Sequence, residues 1–129
     1  MTDKAFKLYL AIGLGGMIGA VGRYSISLLF VGGNEVFPFA TLLANLIGCF
    51  LLSYLLNQAK LKQIVSPEII TALSVGVIGA FTTYSTFAIE TILLWNHSIL
   101  MAFGYVFASI IGGIGLCYCG YYLAVREVD

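Results

Sequence analysis

Residues 79–87 gather most of the chain's capacity for chemistry without a fixed charge. Thr82, Thr83, Ser85 and Thr86 supply hydroxyls, and Phe81, Tyr84 and Phe87 recur at three-residue spacing, so that on a continuous helix their rings share a broad face. The stretch sits inside an apolar segment, residues 69–95, whose midpoint is Thr82. Lipid cannot hydrogen-bond, so polar atoms at that depth must face a protein interface, a cavity or an ion path. Gly79, Thr82 and Thr83 favour a local break, because glycine is permissive and hydroxyls compete for backbone bonds. A break frees carbonyls, which suit a cation, and amides, which together with hydroxyls suit an anion. Aromatic ring edges carry partial positive charge and can face an anion without holding it tightly, which is what conduction needs. The plainer alternative is that the hydroxyls bond back to their own helix and the rings only pack.

Beyond this stretch, polar candidates are few. Asn45 lies about 9 Å along its helix from Phe39 at ~1.5 Å per residue, and it is the first strongly polar residue there before Ser53. It reads as a pore-lining donor or as a packing hydrogen bond between helices. Arg23 lies near the far end of the first apolar segment and Glu90 about two turns past the centre of the third, so neither is expected to put a fixed charge at mid-depth. Cys49, Cys117 and Cys119 fall inside apolar segments with no carboxylate or imidazole partners in sight, and read as small packing residues. His97, beside Trp95, reads as interfacial. Gly13, Gly15, Gly16 and Gly19 do not have the G-x-G-x-x-G spacing of a nucleotide loop, and no strand precedes them. With no nucleophile–base pair and no metal cluster, an enzyme is not expected.

These groups must be held by membrane helices. The chain of 129 residues is 60% hydrophobic and only 9% charged, with a mean hydropathy of +1.02, whereas soluble domains carry roughly a quarter charged residues. Apolar runs at 5–30, 39–58, 69–95 and 98–125 predict four transmembrane helices within one domain, 1–129, the third helix broken. The connections are 31–38, 59–68 and a tight corner at Asn96 and His97. The first run is too long for a signal-peptide core and is expected to remain as an anchor. Small residues recur every four positions: Ala11, Gly15 and Gly19; Ala40, Ala44 and Gly48; Ala72, Gly76 and Ala80; Gly104, Ala108 and Gly112. Such ladders let helix backbones approach closely, so each helix is expected to have a partner.

Gly15, Gly16, Gly19 and Ala20 with Arg23 and Tyr24, then Thr41, Leu42, Asn45 and Gly48, then residues 76–87 with Glu90, resemble the CrcB (Fluc) fluoride channels. The resemblance runs in order over essentially the whole chain, and the third-helix block is its most specific part. It implies an all-α membrane protein assembled as an antiparallel dimer with dual topology. The implied function is a fluoride-selective channel that lets bacteria and other microbes shed fluoride passively across the cell membrane, giving fluoride resistance. It also implies a structural sodium ion, Na+, at the dimer centre, held by the backbone carbonyls of Gly79 and Thr82. On this resemblance Asn45 is the pore amide, Tyr84 and Phe87 the aromatic pair, and Ser85 and Thr86 part of a polar track with Thr41 nearby. Arg23 belongs to the vestibule and Glu90 supports the track. Tyr84 stands where the family usually has phenylalanine, and Gly113 where it usually has a hydroxyl.

The implied partners are fluoride, the lipid bilayer and a second chain, with no nucleic acid. Lys4, Lys7, Lys60, Lys62 and Arg126 fall on the side shared by the N-terminus, the second connection and the C-terminus, with only Arg23 as an offset. That asymmetry predicts a fixed orientation with both termini cytoplasmic, and hence a heterodimer with an inverted related chain. A homodimer is the other possibility. A non-conducting or complementary subunit is the alternative function, supported by Tyr84 and Gly113. A small multidrug exporter would need a buried carboxylate in the first helix, and residues 6–30 contain none.

Overall fold

The computed structural model describes residues 3–32 and 36–126. Its elements are α1 (Asp3–Leu28), α2 (Phe39–Asn57), a short α3 (Ala59–Ile64) and a third span that changes character along its length. That span opens as α4 (Pro67–Thr71), winds as a π-helix over Ala72–Ile78, tightens into one turn, α5 (Gly79–Phe81), breaks, and resumes as α6 (Tyr84–His97). The chain closes with α7 (Ile99–Arg126). Four stretches, Asp3–Leu28, Phe39–Asn57, Pro67–His97 and Ile99–Arg126, are long and apolar enough to cross a bilayer, and the protein is a multi-pass membrane protein.

Local chemistry sets most boundaries. Pro38 precedes α2, and Pro67 opens α4, where its missing N–H removes no helical bond. Ser66 caps α4 by accepting from the Ile69 amide at 3.5 Å, and Ser98 accepts from the Met101 amide at 3.5 Å at the start of α7. Beyond α1 the chain turns through Gly32, whose φ of +101° favours glycine. The expected connection 31–38 includes residues 33–35, which lie outside the described residues. In 59–68 the chain forms α3 where only a connector is expected, with the Gln58 side chain accepting from the Lys60 amide at its start. The corner expected at Asn96 and His97 falls instead at Ser98, because α6 runs through His97.

Close packing follows the small residues on one pair of helices more faithfully than on the other. A methyl at Gly15 would sit 2.7 Å from the Ala72 carbonyl, one at Gly76 2.6 Å from the Ile12 carbonyl, and one at Gly19 would strike the Val77 carbonyl. Thus α1 and the first half of the third span meet backbone to backbone, which only glycine permits. Between α2 and α7 the ladder differs from the one expected. Gly104 has open space around it and Ala108 is exposed, and of that ladder Gly112 alone meets α2, a methyl there falling 3.0 Å from the Leu46 side chain; Gly113, Gly120 and Ala124 are buried, a methyl at Gly120 coming 2.5 Å from the Phe50 carbonyl. The period of four picked one stripe of α7, while the packed face recurs at seven and four residues.

Large apolar side chains mostly point outward: Leu14, Ile18, Ile92, Ile111 and Ile114 are all exposed, and among the large side chains of the described residues only Tyr105 is fully buried. In water this distribution would be ruinous. In a bilayer it is the expected one, because the lipid tails solvate apolar surface and the interior is left to close packing and polar pairs.

Candidate functional site

The third span breaks at Thr82 and Thr83, both extended, with φ/ψ of −87°/158° and −149°/125°. A break in an apolar medium strands the last carbonyls of one half-helix and the first amides of the next, each costing several kcal/mol if left unserved. Here side chains from three spans take up those groups. The Asn45 amide pairs with Thr83 at both ends: its Oδ1 accepts from the Thr83 N–H at 2.8 Å, and its Nδ2 donates to the Thr83 carbonyl at 3.0 Å. The side chain thereby imitates a strand neighbour and holds Thr83 extended. Thr83 Oγ1 in turn accepts from the Thr86 amide at 3.3 Å, capping α6, and lies 3.0 Å from Thr86 Oγ1. On the other side, Arg23 Nε donates to the Ala80 carbonyl at 3.3 Å. A cation at the C-terminal end of a half-helix is the favourable placement for its dipole.

Arg23 therefore serves the break. Its position late in α1 conceals this, because the long side chain reaches across to a carbonyl that exists as a free acceptor only once the span has broken. Thr82 stays with the first half, donating from Oγ1 to the Ile78 carbonyl at 3.0 Å and to the Gly79 carbonyl at 3.4 Å. Gly79 is exposed at the surface of the protomer. The Gly79 carbonyl has lost the amide an unbroken helix would give it, since Thr83 N–H is turned to Asn45.

The shared aromatic face expected for Phe81, Tyr84 and Phe87 does not form. Phe81 lies over α1, near Gly22, a methyl there falling 3.4 Å from its ring. Tyr84 and Phe87, beyond the break, stay together with ring centroids 6.1 Å apart. The break resets the helical phase between positions 81 and 84. Phe87 continues into a buried cluster, its ring 5.1 Å from that of Tyr105, which meets Phe37 edge-on at 5.5 Å. Tyr84 stands at the other end of the chain of rings, 82% exposed.

Two cavities flank the break. One, of about 290 Å³, is bordered by Arg23, Tyr24, Thr41, Thr86 and Glu90. Glu90 is held by two hydroxyls, Thr41 donating to Oε1 at 2.8 Å and Tyr105 donating to Oε2 at 2.8 Å. The other, of about 450 Å³, is bordered by Asn45, Thr82, Thr83, Tyr84, Phe87 and Ser109, and among the described residues no charged one lines it. Thr86 and Thr83, joined through their hydroxyls, connect the two sides. Ser85 is exposed on the first turn of α6 and borders neither cavity.

Two residues escaped the sequence reading. Tyr105 is one of many aromatics in an apolar run, and nothing in its spacing marks it as the partner of Glu90. Ser109 Oγ is buried with no hydrogen-bond partner among the described residues. An isolated serine in a greasy helix gives little signal, yet a buried unpaired hydroxyl costs about 1–3 kcal/mol. Ser109 is also one of the residues that border the cavity of about 450 Å³.

The family described as "CrcB-like protein, Camphor Resistance (CrcB)" matches residues 10–121. Over 118 residues the chain is 46% identical to a protein named fluoride-specific ion channel FluC 1 of Bacillus cereus (strain ATCC 10987 / NRS 248), covering 90% of this chain and 86% of that one. It is 44% identical over 117 residues to the fluoride-specific ion channel FluC of Oceanobacillus iheyensis, covering 90% of each. With the fluoride-specific ion channel FluC 2 of Listeria monocytogenes serotype 4b it shares 44% identity over 107 residues, covering 82% of this chain and 81% of that one.

Proposed function

The chain belongs to the CrcB family, and from that premise we propose that it is a fluoride-selective channel passing the ion down its gradient through the broken third span. The observation that carries the proposal is the Asn45–Thr83 pairing, which stabilises a polar break inside an otherwise apolar helix and opens it to a cavity without charged walls.

The chemistry of the small halide fits this site. Fluoride is strongly hydrated, so entry requires donors in place of water, yet a buried lysine would hold it too tightly to conduct. Neutral donors border the cavity: the Asn45 amide, whose second hydrogen remains available after the bond to Thr83, and the hydroxyl of Ser109. The N-terminal end of α6 aims a positive dipole end at the same place. Phe87 and Tyr84 present ring edges that favour an anion weakly. Thr86 and Thr41 lead towards Arg23, which draws anions into the cavity of about 290 Å³ that all three border, while the Glu90 carboxylate is occupied by Thr41 and Tyr105.

The break also suits the sodium ion expected at the centre of an antiparallel dimer. Gly79 lies on the exposed surface with its carbonyl released from the helix ladder, and Thr82, extended, turns its own carbonyl out of that ladder. Two copies related by a two-fold axis would supply Gly79 and Thr82 carbonyls in pairs, a neutral oxygen set appropriate for a hard monovalent cation. The ion would tie the two breaks together; the anion path uses the donors named above.

The lysine and arginine distribution supports cytoplasmic termini and, as a second reading of the dimer, a related partner chain of opposite orientation. Relatives bearing the numerals 1 and 2 in their names accord with that heterodimeric reading. In it, this chain supplies half of each pore and the partner complements Tyr84 and Gly113.

Purified protein in potassium-loaded liposomes, given valinomycin and followed with a fluoride electrode, tests the channel. Fluoride efflux with chloride retained is expected. Equal efflux of chloride would refute selectivity. Silence from a folded protein that becomes active with a related chain would replace the homodimer by the heterodimer, and silence with both would leave no channel.

A further inference from the structure

The fold brings together Cys49 of α2 and Cys117 of α7. The Cys117 thiol donates to the Cys49 carbonyl at 3.4 Å. Both residues border the cavity of about 450 Å³ that holds Asn45 and Phe87. Gly113, one turn before Cys117, leaves the Cys49 sulfur uncovered, since a methyl there would already sit 3.4 Å from it. All three cysteines are free, and Cys119 is exposed. Residues two apart on a helix do not face each other, so Cys119 cannot join Cys117 on the same side.

We propose that Cys49 and Cys117 form a dithiolate site, open to the pore cavity, for a soft cation that binds two sulfurs, the class of Hg²⁺, Ag⁺ and Cu⁺. Thiolates select soft cations, and a hard ion or zinc would need further ligands. Among the described residues no group of three histidine, cysteine or acidic side chains exists to provide them. Capture of Hg²⁺ breaks two S–H bonds, forms two S–Hg bonds and releases two protons to water in the cavity, with no change of oxidation state. The bound metal staples α2 to α7 one turn from Asn45, placing a heavy cation against the path assigned to fluoride. Only that effect on flux rests on the channel reading; binding does not.

The test uses the purified protein with mercuric chloride, read by intact mass and by mapping which cysteines remain open to N-ethylmaleimide. One mercury per chain is expected, with Cys49 and Cys117 protected and Cys119 alkylated. Cys49→Ser and Cys117→Ser should each weaken protection of the remaining thiol about 100-fold, the loss expected when a two-point attachment becomes one-point. Cys119→Ser should bind as before. Independent modification of the three thiols, or single variants that protect the remaining thiol at unchanged mercury concentration, would overturn the site. In liposomes mercury should stop fluoride efflux in the unaltered protein and in Cys119→Ser and spare Cys49→Ser; efflux lost equally in Cys49→Ser would overturn the link to flux. Absence of efflux before mercury is added would count against the channel reading alone, because mass and alkylation still decide the site.

Discussion

The cavities on the two sides of the broken span are built from opposite materials. The smaller has Arg23 and Glu90 on its walls, whereas the larger is bordered by an amide, hydroxyls and aromatic rings without a charged group. The same span borders both, with Thr86 and Glu90 on the smaller and Thr82, Thr83, Tyr84 and Phe87 on the larger, and the neighbouring helices add different side chains to each. α1 sends an arginine to the C-terminal end of the first half-helix, and α2 sends an asparagine to the N-terminal end of the second. The lesson is that charge attracts an anion where water is at hand, and neutral donors take over where a full charge would trap it.

The division depends on the wall between α2 and the break, and a bulky residue there should destroy it. A methyl at Gly48 would strike the Thr82 side chain. Gly48→Leu should therefore displace the break and cost about 3 kcal/mol or more through overpacking. The expected outcome is loss of recoverable folded protein on size exclusion and, in whatever survives, no detectable fluoride efflux.

The charged side is probed by Arg23→Leu, which removes both the attraction and the bond to the Ala80 carbonyl. Initial fluoride efflux at low ionic strength should fall about tenfold, and the difference from the unaltered protein should shrink as salt is raised, since steering is screened. A deficit independent of salt would move Arg23 from attraction to the upkeep of the break. On the neutral side the smallest effect is expected from Tyr84→Phe. Among the described residues the Tyr84 hydroxyl has no hydrogen-bond partner, so it is free to hold the passing ion. Removing a donor worth about 0.5–1.5 kcal/mol should raise flux about threefold, and a fall would show that the hydroxyl assists passage.

Much of this arrangement was legible in the sequence. Four spans follow from the apolar runs, and the break from the crowding of Gly79, Thr82 and Thr83 in the third. Side-chain reach and helical phase were harder to read. Arg23 looked remote from the centre because span position ignores the length of an arginine. Phe81 looked like a companion of Tyr84 because periodicity assumes an unbroken helix. The π-winding over Ala72–Ile78 has no compositional mark, and it accompanies the close approach of α1 at Gly76, a long-range contact. Tyr105 became visible only through its bond to Glu90, fifteen residues away in sequence and on the next helix.

Asn45 is where the account is most exposed, because one side chain is asked both to keep the span broken and to supply a donor to the ion. Fluoride efflux from liposomes containing Asn45→Leu, compared with the unaltered protein at equal amounts of folded material, tests it most directly. The leucine fills similar space but serves neither Thr83 group, and a deficit of about 3 kcal/mol predicts flux at least ~100-fold lower. Flux within about threefold of the unaltered protein would contradict the assignment of the ion path to this break.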